Sequence, residues 1–223
     1  MSQILNVEQV RNRIESIPEE SYQIACKALY LFAGRVSEIV SRAYPYEKSY
    51  GIRKNDVLLD TYKTEEKEHA AIVFRVQTAK RKGLIRNIGL PLEYEPWAKE
   101  VYSYFQACQQ DFVFYFTRQK LWREVRGYFK DLTYPIDEYV VLKNGELRKI
   151  PSHQKRFALH ALRHLRSTEL VERYGFDGFN LAAYCGWTIM TAQAQFGVRV
   201  PRVIARYLYL NWQGYFPKLL KKR

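Results

Sequence analysis

The sequence predicts a mainly α-helical domain with small β-hairpins, that is, an α+β fold. Apolar residues recur at helical spacing in residues 7–14 and form a wide apolar stripe in residues 24–32. Two runs of β-branched and aromatic residues, 70–77 and 84–92, flank the turn KRKG and predict a hairpin. Asn144-Gly145, between two short alternating runs, indicates a second hairpin.

The first helices can be placed from their capping residues. Asn6 is a suitable N-cap for the first helix. Pro18 ends that helix and can open the second, which Gly34 would end. Ser37 is available to cap a third helix that carries Glu38.

The remainder of the chain continues this pattern. Residues 44–67 are polar and mixed, and they predict no clear element. Residues 95–108 predict a helix with a proline in its first turn. Thr117 is predicted to cap a helix whose apolar stripe runs through residues 121–129. Pro201 would open a C-terminal helix.

Composition and charge restrict the class of protein. The chain has 223 residues, 47% of them apolar, so it can bury a real core and is not a disordered tail. Its formal charge of +13 indicates a polyanionic partner, nucleic acid first. Because no apolar run approaches the roughly 20 residues of a membrane span and no signal peptide is evident, we expect a soluble, cytoplasmic protein. The three cysteines, Cys26, Cys108 and Cys185, have no metal-ligand spacing.

The stretch from His160 to Trp187 carries the clearest functional signal. On a helix, His160, Arg163 and His164 fall at positions i, i+3 and i+4 and share one face. Burying an unpaired guanidinium costs several kcal/mol, so a core has no need of this cluster and an anion is its natural partner. The alternative is that the histidines are structural and the arginine is a solvated charge.

Two separated motifs resemble the active site of tyrosine recombinases, the phage-integrase family. The run from His160 to His164 matches the family's H-x-x-R box, and Gly186-Trp187 matches the Gly-His or Gly-Trp pair that follows it. Residues 34–38, GRVSE, match the earlier box that supplies the first arginine. The resemblance extends over most of the chain and implies a single catalytic domain spanning residues 1–223, without the N-terminal core-binding domain.

The resemblance implies a role for each matched residue. Arg35 and Arg163 would clamp the scissile phosphate, His160 would move the nucleophile's proton, and the Trp187 indole would hold a phosphate oxygen. Glu38 and His164 would support these groups from behind. An ion pair between Arg35 and Glu38, worth under about 1 kcal/mol, is compatible with this role.

The family's β-hairpin lysine, which protonates the leaving oxygen, falls in the KRKG turn. Lys80 is our first assignment and Lys82 the alternative, because the loop length differs from the commonest form. Arg81, Lys82 and Arg86 are predicted to contact DNA. A basic loop that grips phosphates without chemistry is the competing interpretation.

The nucleophilic tyrosine is the least defined member of the set. The usual spacing from Trp187 reaches Phe196, which has no hydroxyl. The run RYLYL resembles the family's sequence around the nucleophile, which favours Tyr207, displaced by an insertion, with Tyr209 and Tyr215 as alternatives.

The resemblance therefore predicts a site-specific recombinase that integrates, excises or resolves DNA through a 3′-phosphotyrosine. The chemistry needs neither metal nor cofactor. The partners would be double-stranded DNA and further copies of the chain in a tetramer, with residues 201–223 forming a C-terminal helix and basic tail that could be exchanged between protomers. The protein would be nucleoid-associated or encoded by a virus or mobile element. Two other functions remain open: a DNA-binding protein that has lost the nucleophile, and a type IB topoisomerase-like enzyme.

Overall fold

The chain folds into helices and small antiparallel sheets, as a computed structural model shows. It describes residues 6–45, 51–77, 85–93, 95, 97–136, 139–141, 147–149, 153–187 and 211–221. Its helices are α1 Val7–Glu15, α2 Glu20–Leu31, α3 Val36–Ile39, α4 Ala98–Ala107, α5 Arg118–Val125, α6 His160–Glu172, α7 Gly178–Cys185 and α8 Trp212–Leu220. Its strands are β1 Val57–Lys63, β2 Glu68–Gln77, β3 Ile85–Pro91, β4 Thr133–Ile136, β5 Tyr139–Val141, β6 Leu147–Lys149 and β7 His153–Arg156. Short 3₁₀ helices cover Lys54–Asp56 and Arg126–Phe129. The fold class is α+β, as the sequence predicted.

Helix α2 is the centre of the helical core. Every residue from Ile24 to Leu31 is buried, and α2 packs against α1, α4, α5 and α6. The predicted caps of two neighbouring helices are confirmed: Asn6 accepts a hydrogen bond from the Glu8 amide at 2.9 Å, and Thr117 accepts one from the Lys120 amide at 3.3 Å. These caps satisfy amides that a helix start leaves without an intrahelical partner.

Strands β1, β2 and β3 form one antiparallel sheet in that order. The β2–β3 hairpin was predicted from its two apolar runs, and it is confirmed. Strand β1 was missed because its apolar residues do not alternate with polar ones: Leu58 and Leu59 are 47% and 58% exposed. A strand whose apolar side chains face water gives no period-two signal of burial.

The predicted hairpin around Asn144-Gly145 is present as a two-strand pair. Strands β5 and β6 pair antiparallel from Tyr139 opposite Lys149 to Val141 opposite Leu147. The turn residues themselves lie outside the described part of the chain. Strands β4 and β7 flank this hairpin in the sequence and pair with each other, with Thr133 opposite Arg156. The chain continues from β7 into α6.

A buried ionic network fixes α6 against α1 and α2. Arg166 is fully buried and forms ion pairs with Glu95 and, at 2.6 Å, with Glu169. Glu169 also accepts hydrogen bonds from Tyr30 and, at 3.0 Å, from Arg11. Because the two carboxylates of Glu95 and Glu169 meet the two guanidiniums of Arg11 and Arg166, the charges are paired as burial requires.

Helix α8 packs on β3 and α7 of its own chain. Gly89 of β3 leaves space for the indole of Trp212, since a Cβ there would lie 2.2 Å from the Trp212 ring. The Tyr215 hydroxyl accepts a hydrogen bond from the Gly89 amide at 3.1 Å. The described tail therefore contributes to the core. Among the described helices, none has the length and apolar character needed to cross a membrane.

Candidate active site

Arg35 lies at the N-terminus of α3, directly after the turn that ends α2. Helix α2 ends at Leu31, three residues before the predicted Gly34, and Ala33 takes the positive φ of 43°. Arg35, not the predicted Ser37, is the N-cap residue. Its side chain is 24% exposed, so its guanidinium is held on one side and accessible on the other.

Glu38 fixes the position of Arg35 through hydrogen bonds. Its buried carboxylate accepts hydrogen bonds from the Arg35 amide and guanidinium, both at 2.9 Å, and from the Arg86 guanidinium at 3.0 Å. The ion pair between Arg35 and Glu38 that the sequence analysis considered is therefore present, with one addition. Glu38 also pairs with an arginine that lies 48 residues further along the chain.

Arg86 occupies the interior and not the exposed basic turn where the sequence analysis placed it. It lies on β3, is 7% exposed, and donates to Glu38 and to the carbonyls of Phe32, at 3.0 Å, and Tyr184. Its guanidinium faces protein acceptors, so in this position it supports the site and does not reach DNA.

Arg163 enters the same cluster from α6. It is 3% exposed and donates to the carbonyls of Ala33 and, at 2.8 Å, Cys185. Because Ala33 is two residues from Arg35, this bond brings Arg163 next to the first arginine. The guanidinium carbon also lies 5.7 Å from the centre of the Trp187 ring, which is within cation–π range.

The pKa of Arg163 reflects both its burial and its charged neighbours. Burial, followed by the positive charges of Arg86 and Arg35, lowers the pKa of Arg163 to about 10, although Cys185 and Glu38 act in the opposite direction. Arg163 remains protonated at neutral pH. Among the described residues, the Glu38 carboxylate pairs with Arg35 and Arg86 and acts electrostatically on Arg163, so these three positive charges exceed it.

Arg86 and Arg163 donate mostly to backbone carbonyls at helix ends and not to carboxylates. The carbonyls of Phe32 and Ala33 follow the end of α2, and those of Tyr184 and Cys185 lie in the last turn of α7. Such carbonyls have no intrahelical partner and carry partial negative charge. They solvate the guanidiniums without neutralising them.

His160 and His164 line the open side of the cluster, and both are exposed. Their rings meet edge to face with centroids 4.9 Å apart, as the i, i+4 spacing predicted. Partial burial, and then the positive charges of His164, Arg163, Arg35 and Lys155, lower the pKa of His160 to about 4. The pKa of His164 is lowered by burial, Arg163 and Lys155. Both imidazoles are therefore neutral at pH 7.

A cleft of about 460 Å³ opens beside Arg35 and His160. Its other wall is the first part of α5, where Arg118, Gln119 and Trp122 line the opening. The arrangement can bind an anion at the guanidiniums and can accept a proton at an imidazole. It also leaves room for a group attached to that anion.

The remaining predicted residues divide into three groups. Trp187 is half-buried against Arg163, while Tyr215 is a fully buried core residue whose pKa burial raises well above its ordinary value. A phenol in that position cannot meet DNA without displacing α8. The last group, Lys80, Arg81, Lys82, Tyr207 and Tyr209, lies outside the described residues.

Sequence reasoning missed two cations of the site. Lys155 acts electrostatically on both histidines, and Arg118 lines the cleft. The proximity of Lys155 to His160 in sequence was a usable signal. Arg118 had none, because its helix is brought to the cleft by packing alone.

The chain matches no family model, no curated protein and no solved structure. A functional proposal therefore rests on the geometry described above.

Proposed function

We propose that the chain is a site-specific DNA recombinase that cleaves and rejoins duplex DNA through a 3′-phosphotyrosine. The observation that carries the proposal is the convergence of Arg35, His160 and Arg163, from two distant segments, in a cluster with excess positive charge beside an open cleft. A phosphodiester is the anion that a basic chain with such a cluster is suited to bind.

In this proposal Arg35 donates to the non-bridging oxygens of one phosphate, and Arg163, which is 3% exposed and bonded to two carbonyls, adds its positive charge from the interior beside it. Negative charge grows on these oxygens as a nucleophile attacks, so donors fixed in advance favour the transition state over the ground state. Trp187, already against Arg163, would donate its indole N–H to the same phosphate. Glu38 and Arg86 keep the clamp in place and do not touch DNA.

His160 would take the proton of the attacking phenol, which we assign to Tyr207, with Tyr209 as the alternative. A base with a pKa near 4 is weak at pH 7, but a bound phosphate places negative charge beside His160 and raises its pKa. The site would thus gain its base when substrate binds. His164 and Lys155 would tune that pKa from behind.

The exchange of bonds balances without a cofactor. A bond forms between the phenolic oxygen and phosphorus, and the bond from phosphorus to the 5′-oxygen breaks. The departing oxygen takes a proton from Lys80 or Lys82. Attack by a 5′-hydroxyl of another strand reverses the steps and releases the tyrosine. A tetramer of this chain on two duplexes would bring the strands together.

The test is formation of a covalent adduct. Duplexes that the protein selects from a randomised pool are rebuilt with a nick near the selected sequence, so that cleavage releases a short strand and traps the intermediate. We expect a protein–DNA adduct that survives denaturation, that Tyr207→Phe abolishes and Tyr209→Phe does not, and that Arg35→Gln abolishes. Arg53→Gln, which removes an exposed arginine paired with Asp111, is the matched control and should form the adduct normally.

Two outcomes would replace the proposal. Selective binding with no adduct from any nicked duplex would leave a DNA-binding protein that has lost the reaction. Relaxation of any supercoiled plasmid, without sequence preference, would indicate a topoisomerase that uses the same chemistry.

A further inference from the structure

The cleft beside Arg35 has a second wall that the proposed chemistry does not use. Arg118, Gln119 and Trp122 form it, all from the first turns of α5. The floor is apolar, with Leu159 and Val36 among its lining residues. A cleft with one aromatic side, an apolar floor and polar groups at its mouth suits a flat, partly polar ring.

The polar side chains of this wall have no hydrogen-bond or ion-pair partner in the described part of the chain. Neither Arg118 nor Gln119 makes a side-chain hydrogen bond or ion pair with a described residue, and both are exposed. Trp122 is half-buried, so part of its ring remains open to the cleft. By contrast, neighbouring Arg123 faces away and pairs with Glu124 at 3.3 Å.

The wall is held rigidly relative to Arg35. The Arg118 amide donates to the Ser41 carbonyl at 3.1 Å, and Ser41 follows directly on the short segment that contains Arg35 and α3. On its inner face α5 is anchored by Leu121 and Val125, both fully buried. The distance between the phosphate clamp and Trp122 is therefore set by the fold.

We infer that this cleft receives an unstacked nucleobase of the nucleotide next to the clamped phosphate. Arg35 and His160 line the same cleft, so a phosphate on Arg35 carries its attached nucleotide to the cleft mouth. Trp122 stacks on the base, since every base offers a π-face to an aromatic side chain. The Gln119 amide reads the base edge, for which adenine is the best match, and Arg118 contacts the next phosphate.

This inference rests on the proposed function, because it requires DNA on Arg35, and it adds a determinant of target sequence. Taking a base out of the stack costs energy that the stacking on Trp122 offsets. Sites whose base is easily unstacked would be favoured. The cleavage position would then depend on one nucleotide beside the phosphate.

The experiment places the fluorescent base 2-aminopurine at each position around the cleaved phosphate. Its fluorescence rises when it leaves a DNA stack and changes again when it stacks on an indole. With the wild-type protein we expect a change at one position next to the phosphate and not at the others. Trp122→Leu should remove that change and slow adduct formation by about 10-fold or more, the effect of losing one stacked base. Trp122→Phe, which keeps a stacking ring, should restore most of the rate.

Controls separate this inference from the proposed function. Arg118→Gln should weaken binding, whereas Arg123→Gln, five residues along the same helix but outside the cleft, should not. Equal urea midpoints for Trp122→Leu and Trp122→Phe would exclude a difference in folding. If the wild-type protein forms the adduct while 2-aminopurine stays stacked at every position and Trp122→Leu reacts normally, the base site is wrong and the recombinase proposal survives. If no adduct forms with any duplex, the recombinase proposal fails first.

Discussion

Replacing Glu38 with glutamine is the sharpest test of how the site is assembled. The side chain is 0% exposed and accepts one hydrogen bond from an amide and two from guanidiniums. Glutamine keeps the shape but removes the charge, and its amide group would point donors at Arg35 or Arg86. Breaking a buried ion pair by removing one partner costs about 3–5 kcal/mol. We expect the free energy of unfolding to fall by about that amount.

The measurement is urea unfolding at pH 7, with the slope of the transition checked so that a change in midpoint reports stability. Glu124→Gln is the matched control, because Glu124 is 39% exposed and pairs with an exposed arginine. We expect it to change stability by less than about 0.5 kcal/mol. A loss below about 1 kcal/mol for Glu38→Gln would refute the view that this carboxylate holds the two guanidiniums together.

A second readout separates position from charge. Glu38→Gln makes the protein more positive, so nonspecific DNA binding at low salt should stay equal or become tighter. Adduct formation should nevertheless fall, because Arg35 loses the support that aims it. If binding and reaction decreased in proportion, Glu38 would act only through general stability.

Three further predictions concern single positions. The pKa of His160 is lowered to about 4 in the folded protein from an ordinary value near 6.5, so the unfolded chain binds more protons between these pH values. The free energy of unfolding should therefore fall as the pH drops from 6.5 to 4. NMR titration of the imidazole should show that its pKa rises when DNA binds. Gly89→Ala places a Cβ 2.2 Å from the Trp212 ring and should destabilise the fold by about 1–3 kcal/mol or displace α8, which urea midpoints would show. Gly127→Ala, whose Cβ would have nothing within 4 Å, is the control and should not destabilise the fold. Arg166→Met leaves the buried Glu95 carboxylate without its cation, while Glu169 keeps Arg11, and it should cost about 3–5 kcal/mol in unfolding experiments. Unchanged stability would mean that Glu95 is protonated.

Local spacing predicted the parts of the site that one helix determines. His160, Arg163 and His164 share a face because the helix repeats every 3.6 residues, and their contact follows from that geometry. The position of Arg35 just after the second helix was also predictable from Gly34, although that helix ends at Leu31 and Arg35, not Ser37, is the N-cap of the next helix. What spacing could not give is depth: Arg163 is almost fully buried, whereas both histidines on its face are exposed.

Arg86 shows why the rest could not be predicted. It follows a turn dense with positive charge, and such a residue is normally solvated. In β3 it is buried while Ile85 beside it is 46% exposed, the reverse of the usual pattern. That reversal is stable only because Glu38 and two carbonyls meet it inside the fold, and partners so distant in sequence leave no local signal.

The way the buried arginines are held bears on what they can do. A carboxylate for each guanidinium would satisfy burial but would also cancel the charge that an anion needs. Here the ends of α2 and α7 offer neutral carbonyls to Arg86 and Arg163, and in the described part of the chain one carboxylate, Glu38, serves the cluster. Helix-end dipoles are fixed by the backbone and do not reorganise when charge develops nearby. The cluster therefore keeps its positive potential in the folded state, and this potential adds to burial in lowering the pKa of His160. An anion on Arg35 would relieve that potential, which is the physical reason to expect phosphate there.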